Sequence, residues 1–166
     1  MKIRQITLAL GILLALSTLF NSCKTEIDME QQEIDQITAF MVQRGLDIDP
    51  RDSGLYFKEV EAGGGEYPVA LDTVYVNYTG YYLSGISFDS NAGSDPFSFV
   101  VDNVPYPDVI GGWDEGLKLL RKGGEAVLIV PSWLGYGARG YYSIPGYTPL
   151  YFEIELLDIK FGPNHN

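Results

Sequence analysis

Beyond Ser53 apolar and polar residues alternate along most of the chain, and the alternation falls into five runs. Leu55, Phe57 and Glu59 alternate with Tyr56, Lys58 and Val60, while Val74, Val76 and Tyr78 alternate with Tyr75, Asn77 and Thr79. Phe97, Phe99 and Val101 share a side, as do Ala126, Leu128 and Val130. The last run sets Leu150, Phe152, Ile154 and Leu156 against Tyr151, Glu153, Glu155 and Leu157. Successive side chains of a strand point to opposite faces, so this period of two predicts five strands. Turn-forming clusters separate them at Gly63-Gly64-Gly65, Gly80, Ser84-Gly85 and Asn91-Ala92-Gly93.

Two stretches change period. Trp113, Leu117 and Leu120 recur at i, i+4 and i+7, which predicts a short amphipathic helix from Trp113 to Lys122. Asp114 and Glu115 suit its N-terminus, Arg121 and Lys122 its C-terminus, and Gly123 is placed to end it. Glycines at 111 and 112 let the backbone turn tightly ahead of the indole. Earlier, Ile34, Ile37 and Met41 mark one helical face in a polar, acidic segment, ending before Gly45 and the helix-breaking Asp47-Ile48-Asp49-Pro50. That segment is either a helix docked on the globular part or a spacer. One helix set among strands predicts an α+β fold, an antiparallel sheet with one covered face.

The 166 residues allow one domain with appendages, and 46% hydrophobic content supplies a core. Lys2 and Arg4 precede an apolar run from Ile6 to Phe20 that closes on Asn21-Ser22-Cys23. Fifteen residues fall short of the roughly 20 that cross a bilayer as a helix, so the run reads as an export signal rather than a permanent anchor. Cys23 is the only cysteine and its position resembles the lipid-attachment site of bacterial lipoproteins. The expected organisation is a lipoprotein signal peptide over 1–22, a polar spacer with a short helix over 23–52, a globular domain over 53–161 and a disordered tail over 162–166. The formal charge is −11; with Lys2 and Arg4 removed, nine basic residues face 22 acidic ones, a charge of −13. Such a surface excludes nucleic acid, whose phosphates demand clustered Lys and Arg.

The sole histidine, His165, lies next to the C-terminus, so no Ser-His-Asp or Cys-His unit can be built. Metal sites made of His and Cys are excluded with it, and no spaced Asp/Asn ladder marks a calcium site. Gly63-Gly64-Gly65 lacks a following Gly-Lys-Ser/Thr and is a turn rather than a phosphate loop. No cofactor and no metal is expected. The protein either binds, or catalyses a reaction that needs neither acid nor base.

The order of seven segments narrows this choice. Val76-Asn77-Tyr78-Thr79-Gly80, Gly85-Ile86-Ser87-Phe88-Asp89-Ser90, Pro96-Phe97-Ser98-Phe99 and Val109-Ile110-Gly111-Gly112-Trp113 come first. Pro131-Ser132-Trp133-Leu134-Gly135-Tyr136-Gly137, Ile144-Pro145 and Leu150-Tyr151-Phe152-Glu153-Ile154-Glu155-Leu156-Leu157 follow. Together they resemble the FKBP family of macrolide-binding peptidyl-prolyl cis-trans isomerases, over roughly Ser53 to Phe161. The resemblance implies a twisted antiparallel sheet wrapped around the short helix, with a pocket between them. It also implies roles: Trp113 as the pocket floor, Phe88, Phe97 and Phe152 as aromatic walls, and Tyr78, Val109 and Ile144 as further pocket residues. The Ile110 amide and the Tyr136 hydroxyl would bind ligand carbonyls, and Asp89 would accept a ligand hydroxyl or orient Tyr78.

On that resemblance the expected activity is isomerisation of X-Pro bonds in exported polypeptides as they fold, by a protein held to a membrane of the cell envelope through a lipid on Cys23. Macrolides are possible ligands by the same resemblance. A non-catalytic binding or chaperone module using the same pocket is the alternative. Two stretches depart from the family's pattern: Asp102-Asn103-Val104-Pro105-Tyr106-Pro107, and the 140–149 loop, which lacks Ile-Pro-Pro and ends in Pro149. Because proline lacks a ladder donor, the last strand is expected to begin unpaired or bulged there.

Overall fold

The computed structural model describes residues 28–165. The expected signal peptide of residues 1–22 and the lipidation site Cys23 lie outside them. One sheet holds β1 (Tyr56–Glu61), β2 (Thr73–Tyr82), β3 (Ser87–Ser90), β4 (Phe97–Val100), β5 (Glu125–Val130) and β6 (Leu150–Lys160). The strand order is β1-β5-β6-β2-β3, and every pairing is antiparallel. The fold is thus α+β as expected, with six strands instead of five. The additional strand, β3, has only four residues and a single large apolar side chain, Phe88, so it carries no readable alternation. β6 starts at Leu150, immediately after Pro149, opposite Val130 and Tyr82.

β2 organises the pocket side of the sheet. Its first half, Thr73 to Val76, pairs with β4 and its second, Thr79 to Tyr81, with β3. The break between these partners is closed by one side chain: Asn91 accepts the Tyr78 N–H at 2.8 Å through Oδ1 and donates to the Val76 carbonyl at 3.0 Å through Nδ2. A short polar side chain thereby completes a ladder that would otherwise leave two backbone groups unpaired.

The core lies between this face of the sheet and helix α2 (Gly111–Leu117). Val74, Val76, Leu128, Val130, Leu150, Phe152, Ile154 and Leu156 project from the strands against Trp113, Leu117 and Leu120. The helix approaches β5 very closely: a Cβ on Gly112 would meet Val130 Cγ1 at 2.6 Å, and one on Gly116 would overlap Leu128. Only glycine permits this spacing. α2 begins two residues before, and ends five residues short of, the span expected from Trp113 to Lys122. Past Leu117 the amides of Leu119 and Leu120 bond three residues back, and Gly123 donates to the Leu156 carbonyl of β6, bringing the chain onto that strand just before β5 begins. Leu120 still reaches the core from this turn.

Helix α1, residues 28–44, covers part of the opposite face. Ile37 and Phe40 pack with Ile48 on Tyr56, Val127, Ile129 and Tyr151, so both sheet faces carry a helix where one covered face was expected. The expected helical face of Ile34, Ile37 and Met41 is rotated. Glu33, Ile37 and Phe40 are the buried positions and Ile34 is exposed. Burying Ile37 and Phe40 contributes about 1.5–3 kcal/mol per side chain, which stabilises a helix that alone would be marginal. Residues 28–50 therefore belong to the packed unit and do not form a free spacer.

The other end is also held. His165 Nδ1 lies 2.7 Å from Asp72 Oδ2, its Nε2 contacts Glu66, and its ring stacks on Phe161 at 3.7 Å between centroids. Gly162 N–H donates to Asp72 Oδ1 at 2.7 Å. Where a disordered tail was expected, residues 162–165 are pinned to a fully buried carboxylate.

Candidate active site

The sheet, α2 and the loops at its start enclose a cavity of about 130 Å³. Tyr78 enters it from β2, Phe88 and Asp89 from β3, Phe97 from β4 and Phe152 from β6. Val109 and Ile110 border it ahead of α2, Trp113 lies within the helix, and Tyr136 comes from the segment between two short 3-10 turns, Ser132–Leu134 and Gly137–Arg139. Nine of the ten pocket residues expected from the sequence line this cavity. Ile144 does not. It is buried in the main core beneath the 140–149 loop, with its amide and carbonyl paired to Tyr141.

Trp113 is the hub. Its ring meets Tyr78 at 4.9 Å and 81°, Phe152 at 5.3 Å and 84°, Phe99 at 5.9 Å and Phe97 at 6.1 Å. Phe88 in turn meets Phe152 edge-on at 5.8 Å. Near-perpendicular pairs place the positive edge of one ring on the negative face of the next, so the walls hold one another in fixed orientations. The Trp113 indole N–H is buried without an acceptor among the described residues.

The polar groups sit around these walls. Tyr78 Oη donates to Asp89 Oδ2 at 2.8 Å, and the other carboxylate oxygen of Asp89 has no donor among the described residues. Asp89 is exposed, at the rim. Burial, followed by the bond to Asp89, pushes the Tyr78 hydroxyl well above the usual tyrosine range, so it remains a donor. Burial also raises Tyr136, and the charge of Asp89 and the neighbouring Tyr141 add to this. Among the described residues no acceptor takes the Tyr136 hydroxyl, and the Ile110 N–H is likewise unused, because Ile110 stands in extended conformation just ahead of the helix and outside its ladder of donors. The site thus presents two free donors beside an aromatic cavity, with no paired acid and base.

Asp108 also lines the cavity and is absent from the sequence-based set. Its carboxylate accepts the Val100 N–H at 3.0 Å and the Asn103 side chain at 3.3 Å, shaping the 101–108 loop. Asp114 holds the same loop through the Asp102 N–H at 2.9 Å, and Lys118 pairs with Asp102 at 2.6 Å. A lone acid in a turn has no periodicity to reveal it. A second concavity, of about 500 Å³, lies on the opposite sheet face among Glu125, Glu153 and Glu155; it is more open and shares only Tyr78 with the aromatic cavity.

The architecture has known counterparts. A family model described as FKBP-type peptidyl-prolyl cis-trans isomerase matches residues 64–157. The chain is 39% identical over 141 residues to the FKBP-type peptidyl-prolyl cis-trans isomerase FkpA of Escherichia coli, a match covering 84% of this chain and 50% of that protein. It is 40% identical over 119 residues to a probable FKBP-type peptidyl-prolyl cis-trans isomerase of Haemophilus influenzae, covering 70% of this chain and 47% of the other. The chain therefore spans about half the length of these curated relatives. The crystal structure of Escherichia coli FkpA superposes with a TM-score of 0.66 at 36% identity, over 92% of this chain and 73% of that one. A peptidyl-prolyl cis-trans isomerase structure from Pseudomonas syringae gives 0.68 at 30% identity, over 81% and 95%. With the sheet, the helix and the aromatic cavity all in place, the chain belongs to the FKBP-type peptidyl-prolyl cis-trans isomerase family.

Proposed function

We propose that this protein catalyses cis-trans isomerisation of X-Pro bonds in exported polypeptides, from a lipid anchor on Cys23 in the cell envelope. The observation that carries the catalytic reading is the pair of unused donors, Ile110 N–H and Tyr136 Oη, beside a cavity walled by Phe88, Phe97, Trp113 and Phe152. Rotation about the amide crosses a barrier of about 18–20 kcal/mol because planarity and resonance are lost, and only X-Pro bonds have a cis form near enough in energy to be populated. No covalent bond breaks, so no acid or base is required.

In this reading the prolyl ring sits on Trp113 between the aromatic walls. The twisted amide is less dipolar than the planar one and is favoured by apolar surroundings, while Ile110 N–H and Tyr136 Oη hold the flanking carbonyls. Asp89 fixes Tyr78, and its open oxygen can accept a ligand hydroxyl. Val109 offers apolar surface to the residue before proline, and a macrolide would occupy the same cavity. The lipid determines location only. A diacylated cysteine exceeds the single chain that anchors marginally, and metabolic labelling with a fatty-acid analogue is expected to mark wild type and not Cys23→Ser.

Refolding of a protein limited by a prolyl isomerisation separates turnover from holding. The slow step, uncatalysed over about 10–100 s, is expected to quicken at substoichiometric protein. An effect seen only at stoichiometric protein would instead establish the binding-module alternative.

A further inference from the structure

A segment outside the matched family region, which begins at residue 64, contacts the turn that leads to Tyr136. Glu33 of α1 is 1% exposed, and Ser132 is 4% exposed. Glu33 Oε2 accepts the Ser132 N–H at 2.8 Å and Oε1 accepts the Ser132 hydroxyl at 2.5 Å, across 99 residues of sequence. A carboxylate is seldom buried unless its charge is answered, and here both oxygens are answered by one residue. Ser132 opens the short turn whose continuation carries Tyr136, four positions on. Two further contacts link the same N-terminal segment to the site's framework. Trp133 Nε1 donates to the Ser53 carbonyl at 3.0 Å, and Arg51 pairs with Glu115 of α2 at 2.8 Å.

We propose that Glu33 is a positioning residue for the isomerase site: by gripping Ser132 from α1 it fixes the 132–136 segment so that the Tyr136 hydroxyl stands ready for a substrate carbonyl. The proposal rests on the isomerase reading for its kinetic consequence but not for its structural one. An aligned donor is sensitive to small displacements, and the Tyr136 hydroxyl has no acceptor among the described residues to hold it; its ring is supported by stacking on Tyr141 at 5.1 Å, within the same loop region.

The test uses the full chain in four forms: wild type, Glu33→Ala, Glu33→Gln and Ile37→Ala. The last loosens the apolar docking of α1 while leaving the carboxylate in place. Amide hydrogen exchange is expected to accelerate at residues 132–136 in Glu33→Ala, with α2 unchanged, and to be partly restored in Glu33→Gln, which keeps one acceptor. kcat/KM for a short X-Pro peptide is expected to fall about five- to tenfold in Glu33→Ala, chiefly through KM, and the loss should nearly vanish when Tyr136→Phe is already present. Should Glu33→Ala not fold, Ser132→Ala removes one of the two bonds and is read the same way. Unchanged exchange at 132–136, or an equal kinetic loss in Ile37→Ala at matched stability, overturns the proposal. If wild type shows no turnover the isomerase reading fails, and the exchange measurement decides the positioning by itself.

Discussion

Tyr78 and Asp89, on neighbouring strands β2 and β3, are joined by a 2.8 Å hydrogen bond from the phenol to the carboxylate at the mouth of the aromatic cavity. Because Tyr78 also packs edge-on against Trp113 at 4.9 Å, the bond ties a rim carboxylate to the cavity floor. Asp89→Ala and Tyr78→Phe should each lower kcat/KM for an X-Pro peptide. The double variant should lose little more than the worse single one, as expected of residues acting as a unit. The melting temperature should move little, since a net hydrogen bond at an exposed site is worth about 0.5–1.5 kcal/mol. Additive losses in kcat/KM would separate the two roles.

Tyr136→Phe removes a hydroxyl that no acceptor takes among the described residues, so activity should fall while thermal stability holds. The raised pKa of this group keeps it protonated to higher pH than an ordinary tyrosine. Activity should therefore stay flat from about pH 6 to pH 9, where no proton of the site is exchanged. A bell-shaped profile in that range would show acid-base chemistry and contradict the site described.

Trp113→Ala should cost both stability and activity. The ring is 4% exposed and touches four other aromatic rings. Truncating a buried aromatic of this size typically costs about 3–5 kcal/mol, measurable by urea unfolding. A variant with wild-type stability would mean that the cavity floor is not part of the core.

The tail contact between His165, Asp72 and Glu66 should make stability depend on pH. Glu66 and then Asp72 hold the His165 imidazolium, raising its pKa, so that contribution is complete below the unfolded value of 6.5 and is lost as pH rises through the folded one. Burial alone would raise Asp72, but N–H donors from Gly162 and Val69 together with His165 hold it below its unfolded value of 3.8. Its contribution is present above that value and fades as pH falls through the folded one. Thermal melts should thus show the largest gap between wild type and His165→Ala at about pH 5, narrowing towards alkaline pH. A gap independent of pH would remove charge from the contact.

Sequence legibility followed physical regularity. Strands β2 and β6 alternate over six or more residues and β5 is an unbroken apolar run after Glu125, so all three can be read directly, whereas β3 owes its pairing to β2 and holds one apolar residue. The face of α1 was obscured because one of its buried positions is Glu33, a charge whose partner lies 99 residues away. The same distance problem hid the tail: His165 finds Asp72 across 93 residues, which no local pattern encodes. At the site, residues within the conspicuous segments reach the cavity together. Ile144 sits in such a segment yet faces the core, and Asp108 lies in a loop whose shape depends on side-chain bonds to Val100 and Asn103.

The most direct test of the account is the cis-to-trans relaxation rate of a short peptide with an apolar residue before proline. The rate is expected to rise in proportion to protein concentration, and to rise less steeply with Tyr136→Phe. A rate at micromolar protein indistinguishable from the spontaneous one would contradict catalysis by this pocket.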